Sequence, residues 1–124
     1  MPVVRSTDAT VHELHGARFV AHANPRTGSK EICAWRAEIP GATTGVPHTV
    51  GREEVIHVLS GALRFTVDGE AAELTAGDTV IVSAGSRLAV DNPGGEPAAM
   101  WTVTTVGLTA TLADGSTIAP PWAN

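Results

Sequence analysis

The sequence predicts an all-β domain, and three observations carry that prediction. Apolar and polar residues alternate over short runs, the period of a strand with one buried face. Thirteen glycines and eight prolines are spread along the chain rather than clustered, which suits many short strands joined by tight turns. No stretch repeats apolar residues at the spacing of an amphipathic helix. Strands at regular spacing with turns between them pack as a sandwich or a barrel.

The elements follow in order. Residues 1–17 are weakly patterned and are expected along the outside. Arg18–His22 reads as a first strand, ended by Asn24-Pro25-Arg26-Thr27-Gly28-Ser29. From Glu31 to Ile39 the alternation is clear, with Cys33, Trp35, Ala37 and Ile39 on one face and Arg36 and Glu38 on the other. Pro40-Gly41 turns the chain, and Glu54–Leu59 is the next strand. Ser60-Gly61 leads into Ala62–Val67, where Leu63, Phe65 and Val67 share a face. Asp68-Gly69 reads as a two-residue hairpin turn, because both residue types tolerate positive φ. Strands follow at 71–74, 79–82 and 88–90, with Asn92-Pro93-Gly94-Gly95 as a breaker. Ala98–Leu112 supplies one or two strands interrupted at Gly107. Ile118–Trp122 reads as an extended tail, since Pro120-Pro121 cannot sit inside a helix.

Composition narrows the function classes. At 124 residues the chain is one domain, able to hide roughly two thirds of its unfolded surface. Its net charge of −5 comes from 8 basic and 13 acidic residues. The basic residues are scattered, so the clustered footprint of a nucleic-acid binder is missing. No apolar run approaches the roughly 20 residues of a membrane span. Cys33 stands alone and has no intrachain disulfide partner. With no charged-then-apolar leader, these features lead to the expectation of a soluble cytoplasmic protein.

Two motifs carry a resemblance. Gly41, His48-Thr49-Val50, Glu54 and Gly61 form the first; Gly77, Ser83-Ala84-Gly85, Leu88 and Asn92 form the second. In layout and spacing they resemble the two motifs of the cupin superfamily, and with the hairpin between them they cover about residues 40–92. The resemblance implies a double-stranded β-helix, or jelly-roll barrel, filling residues 1–124, with strands before residue 40 and strands and a tail after residue 92. It also implies a homodimer, because small cupins commonly pair sheet edges or exchange terminal strands. An unpaired sheet edge is a liability that such pairing removes.

Placed on the family pattern, His48 matches the first metal-ligand histidine and Glu54 the ligand glutamate. Val50 and Leu88 stand where the other two histidines would be, and Ser83 replaces a proline. Catalytic metal sites generally need about three protein ligands and an open position, so one imidazole and one carboxylate fall short. The expectation is therefore no cofactor, with a divalent transition metal as the alternative if a further residue completes the set. His57 lies three residues after Glu54 and belongs on the opposite face. His12, His15, His22 and Cys33 have no place that the sequence can assign, His22 being the best of them because it falls in a strand.

The same alignment points His48 and Glu54 into the barrel, among Val50, Ile56, Val58 and Leu88, which form an apolar, ligand-binding wall. Burial raises a carboxylate pKa and lowers that of a histidine, while pairing opposes both shifts; the two are expected to titrate as one unit. Such a pair suits general acid/base work. Three readings stand: metal-independent proton transfer by His48 and Glu54, as in an isomerase, epimerase or cyclase; binding of a small molecule without chemistry; and a metal-assisted, oxygenase-like enzyme with a non-standard ligand set. A purely structural role is the remaining alternative. Phe65 is expected in the core, Trp122 as a pin for the C-terminus, Cys33 as an inert thiol, and Arg36, Arg64 and Arg87 facing solvent. There is no Gly-rich phosphate loop, nucleophile elbow or zinc-type cysteine pairing.

Overall fold

The computed structural model describes all of residues 1–124. Twelve strands form two antiparallel sheets: β1 Thr10–Leu14, β2 Ala17–Ala23, β3 Ile32–Ile39, β4 His48–Val50, β5 Glu54–Ser60, β6 Ala62–Val67, β7 Glu70–Thr75, β8 Thr79–Val82, β9 Arg87–Asp91, β10 Ala98–Thr105, β11 Ala110–Leu112 and β12 Thr117–Ile118. The first sheet runs β1-β2-β3-β10-β5-β8 and the second β12-β11-β4-β9-β6-β7. Neighbours distant in sequence, such as β3 with β10 and β5 with β8, give a jelly roll rather than a simple meander. No helix is long and apolar enough to cross a membrane.

The core lies between the sheets and follows the alternation. Cys33, Trp35, Ala37 and Ile39 of β3 are buried, as are Glu54, Ile56 and Val58 of β5. On β6, Leu63 and Phe65 are sealed from solvent. The Asp68-Gly69 turn has φ of 49° and 85°, the left-handed pair that a two-residue hairpin of this twist requires. Asn92, at the end of the second motif, is buried and holds the chain rather than a ligand. Its Nδ2 donates to the carbonyls of Ile39 at 3.1 Å and Glu96 at 2.8 Å.

Three segments differ from expectation. Residues 1–17 contain β1, which pairs with β2 through a His15-Gly16 turn with φ of 50° and 82°. This is a second hairpin of the Asp68-Gly69 kind, obscured in the sequence by a half-exposed strand that alternates weakly. His48–Val50 forms β4, too short to show a period but held between β9 and β11. The C-terminal tail is not uniformly extended: β12 pairs with β11, and Pro121–Ala123 makes a single 3-10 turn. Proline is tolerated there because the first residues of such a turn need no N–H partner.

Candidate functional site

A cavity of about 130 Å³ opens between the two sheets at the end closed by the first hairpin and the C-terminal tail. The first sheet contributes Phe19, Trp35, Glu54, Ile56, Met100 and Thr102; the second contributes His48, Leu88, Val90, Ala110, Leu112 and Ile118. Leu14 and His15 from the first hairpin and Pro120 and Trp122 from the tail complete the rim. The Trp122 ring lies parallel to Phe19, with centroids 3.9 Å apart and planes 3° apart. The tail is held by Asn24 Nδ2 donating to the Trp122 carbonyl at 3.4 Å and by Cys33 Sγ–H donating to that of Ala123 at 3.2 Å. Burial raises the Cys33 pKa, so the thiol is protonated and structural rather than nucleophilic.

Glu54 is the distinctive group. It begins β5, in register with Thr104 of β10 on one side and Val82 of β8 on the other. Ladder bonding on both sides fixes its backbone, and alternation turns the side chain inward to 5 % exposure. No cation lies within salt-bridge distance, since the ion pairs are Arg18–Glu38, Arg36–Glu38 and Arg64–Glu73. Desolvation alone therefore pushes its carboxyl from the usual 4.5 up to about 7.

His48 lines the same cavity from β4, nearer the solvent. Its Nδ1 lies 3.2 Å from the Val46 carbonyl. A carbonyl only accepts, so Nδ1 carries the hydrogen and Nε2 of the neutral ring keeps its lone pair. Burial lowers the His48 pKa, the Val46 bond opposes that, and the nearby His15 adds to the lowering. The ring is thus neutral at pH 7. The expected His48–Glu54 pair does not form: neither an ion pair nor a hydrogen bond joins them. They sit on different sheets and hold protons independently.

The apolar wall is also partly reassigned. Ile56 and Leu88 line the cavity, whereas Val50 and Val58 are fully buried in the core and do not. An inward-pointing strand residue reaches the cavity only where the opposing sheet leaves a gap, and alternation cannot say where that is. His57 faces away, as expected, 2.8 Å from the Thr79 hydroxyl. His22 is outside the cavity, tilted against Trp101 at 5.3 Å. His15 is brought in by its hairpin turn, a signal present in the sequence as His-Gly between two strands.

Two further polar groups belong to the site. Trp35 Nε1 and Thr102 Oγ1 are buried without any hydrogen-bond partner, and both residues line the cavity. Leaving a buried donor unpaired costs about 1–3 kcal/mol each, so two on one wall are notable. Trp35 was legible as inward-facing; nothing in the sequence marks its N–H as unpartnered.

The donor set does not fit a closed metal centre. Two of the four motif positions are aliphatic and buried, and no group of three or more His, Cys, Asp or Glu side chains gathers anywhere in the chain.

Comparison with known proteins agrees with this architecture. The family described as Cupin domain matches residues 35–105. No curated protein matches the chain by sequence. Among solved structures, the polyketide cyclase RemF from Streptomyces resistomycificus superposes with a TM-score of 0.75 at 17 % identity, over 85 % of this chain and 79 % of that one. A predicted oxalate decarboxylase from Thermotoga maritima gives 0.71 at 20 % identity, over 83 % and 97 %. An RmlC-like cupin from Shewanella frigidimarina gives 0.70 at 18 % identity, over 82 % and 86 %. At these identities the likeness is one of fold, and the site must speak for the chemistry.

Proposed function

The chain belongs to the cupin domain family, and we propose that it is a small-molecule enzyme of that family working by metal-independent proton transfer, as in an isomerase or cyclase. One observation carries this reading: the Glu54 carboxyl sits in an apolar cavity with no cation beside it and a pKa of about 7. A buried acid/base group poised at the working pH is what general acid–base catalysis calls for. A protein named as a polyketide cyclase shares this fold.

In the ionised form Glu54 takes a proton from carbon, the C–H electron pair becomes the new C=C bond as the carbonyl π pair moves onto oxygen, and an enolate results. Returning the proton at the same or another atom completes an isomerisation; attack of the enolate carbon on a second carbonyl closes a ring, breaking that carbonyl's π bond to an alkoxide that takes the proton back from Glu54. His48, neutral and nearer the mouth, passes protons between the cavity and solvent through Nε2.

A neutral enolisable probe tests the idea. Acetophenone incubated with the protein in deuterated buffer should exchange its methyl protons faster than in buffer alone, followed by proton NMR. The rate should rise as pH passes through about 7, where Glu54 ionises. Glu54→Gln should remove the acceleration, and His48→Ala should lower it by roughly 10²-fold or more. Exchange no faster than background, or undiminished in Glu54→Gln, would overturn the proposal.

A further inference from the structure

We infer that the cavity selects a neutral, mostly apolar molecule carrying a carbonyl oxygen, and that Trp35 Nε1 and Thr102 Oγ1 are the donors that receive that oxygen. The inference deepens the acid/base reading of the same cavity and rests on it for the part Glu54 plays. The two unpartnered atoms belong to directly paired residues: Trp35 of β3 is in register with Thr102 of β10. Thr102 is in turn in register with Ile56 of β5, two residues along the same face from Glu54. One continuous sheet face therefore carries, in a row, Trp35, Thr102 and, one diagonal step away, Glu54, and all three residues line the cavity. Diagonal neighbours on a sheet are about 7–8 Å apart, a span that a carbonyl oxygen and its α-carbon substituents can bridge.

An indole N–H only donates, so its missing partner is an acceptor. A ketone or aldehyde oxygen, with two lone pairs, can satisfy the indole and the hydroxyl together. The cavity also states what it excludes. No Lys or Arg lines it, and its one acidic group becomes negative above neutrality. A carboxylate or phosphate entering here would lose its water without gaining a counter-charge. Donors at the oxygen and a base near the α-carbon also place stabilisation where charge develops on enolisation.

The test uses three probes of nearly one shape: acetophenone, isopropylbenzene and benzoate, titrated at pH 8 by calorimetry against the full chain, its Trp35→Phe and Thr102→Val variants, and Glu54→Gln. Trp35→Phe and Thr102→Val should each weaken acetophenone by roughly five- to tenfold, the worth of one hydrogen bond, and leave isopropylbenzene unchanged. Benzoate should bind the full chain at least about tenfold more weakly than acetophenone. Recognition needs no turnover, so Glu54→Gln should still prefer the ketone to isopropylbenzene. Equal weakening of both neutral probes, benzoate binding as tightly as the ketone, or no ketone binding overturns the inference. The proton-exchange measurement can succeed or fail apart from this one: exchange lost with Glu54→Gln alongside unselective binding would sink the oxygen site alone, while selective binding without exchange would sink the catalytic reading alone.

Discussion

Glu54 makes stability depend on pH in a direction opposite to that of most carboxylates. Its folded pKa, about 7, lies above the usual 4.5, so between those values the folded chain holds a proton that the unfolded chain has released. Stability from this group is fully present below about pH 4.5, falls as pH rises, and is lost above 7. A shift of this size corresponds to about 3 kcal/mol. His48 acts the other way: its pKa is lowered by burial, so its contribution is present above the ordinary histidine pKa and is lost as pH falls. Urea unfolding of the parent chain and Glu54→Gln across pH 4–9 separates the two. The difference between them should change by about 1–3 kcal/mol in favour of the variant as pH rises from 4.5 to 8. A flat difference would mean that water or a cation reaches the carboxyl.

At the scale of elements, β4, β9 and β5 hold the motif positions in an arrangement that the aliphatic residues have emptied of ligands. His48 is directly opposite Leu88, and Val50 lies two residues along the same face of β4. Val50→His with Leu88→His would place three imidazoles and Glu54 on these strands. Elemental analysis after exposure to manganese, iron, nickel and zinc, followed by dialysis, should find far more metal on the double variant than on the parent chain. No gain would mean that the motif register is wrong. The added rings overfill a packed region and should lower stability by about 1–3 kcal/mol. Gly61 shows how closely these strands approach: its φ is +74°, and a Cβ there would lie 2.8 Å from that of Ala98, so the motif glycine is required by β10 as well as by the turn.

Across the whole molecule, the tail both closes and stabilises the barrel. Trp122 packs on Phe19 and lines the cavity, and the turn that carries it is bonded to Asn24 and Cys33. Trp122→Ala should cost about 3–5 kcal/mol in chemical denaturation and widen the cavity mouth, raising the on-rate of a neutral probe. A loss below about 1 kcal/mol would mean the ring is a loose cover. The outer face of the first sheet leaves Val55 and Ile81 exposed, directly paired across β5 and the edge strand β8. We propose that this face joins two copies in the homodimer expected from sequence. Sedimentation should give twice 12.7 kDa, and Ile81→Lys should return it to the single-chain mass; a monomeric parent chain would refute the idea.

The resemblance of the two motifs implied the jelly roll, the inward facing of Glu54 and the two aliphatic ligand positions, while period-two alternation and glycine-bearing turns alone predicted the all-β class, the shared face that carries Trp35 and the burial of Phe65. The strands, the face that carries Trp35 and the burial of Phe65 are local properties: each depends on a strand's own period or on a turn residue's allowed φ. The tertiary structure decided the rest. It kept His48 and Glu54 apart, put Val50 and Val58 in the core instead of on the cavity, brought in His15, and left the Trp35 N–H and the Thr102 hydroxyl unpartnered. Each of these depends on where one sheet stands off from the other, a distance set by packing of residues far apart in the chain and written in no single strand.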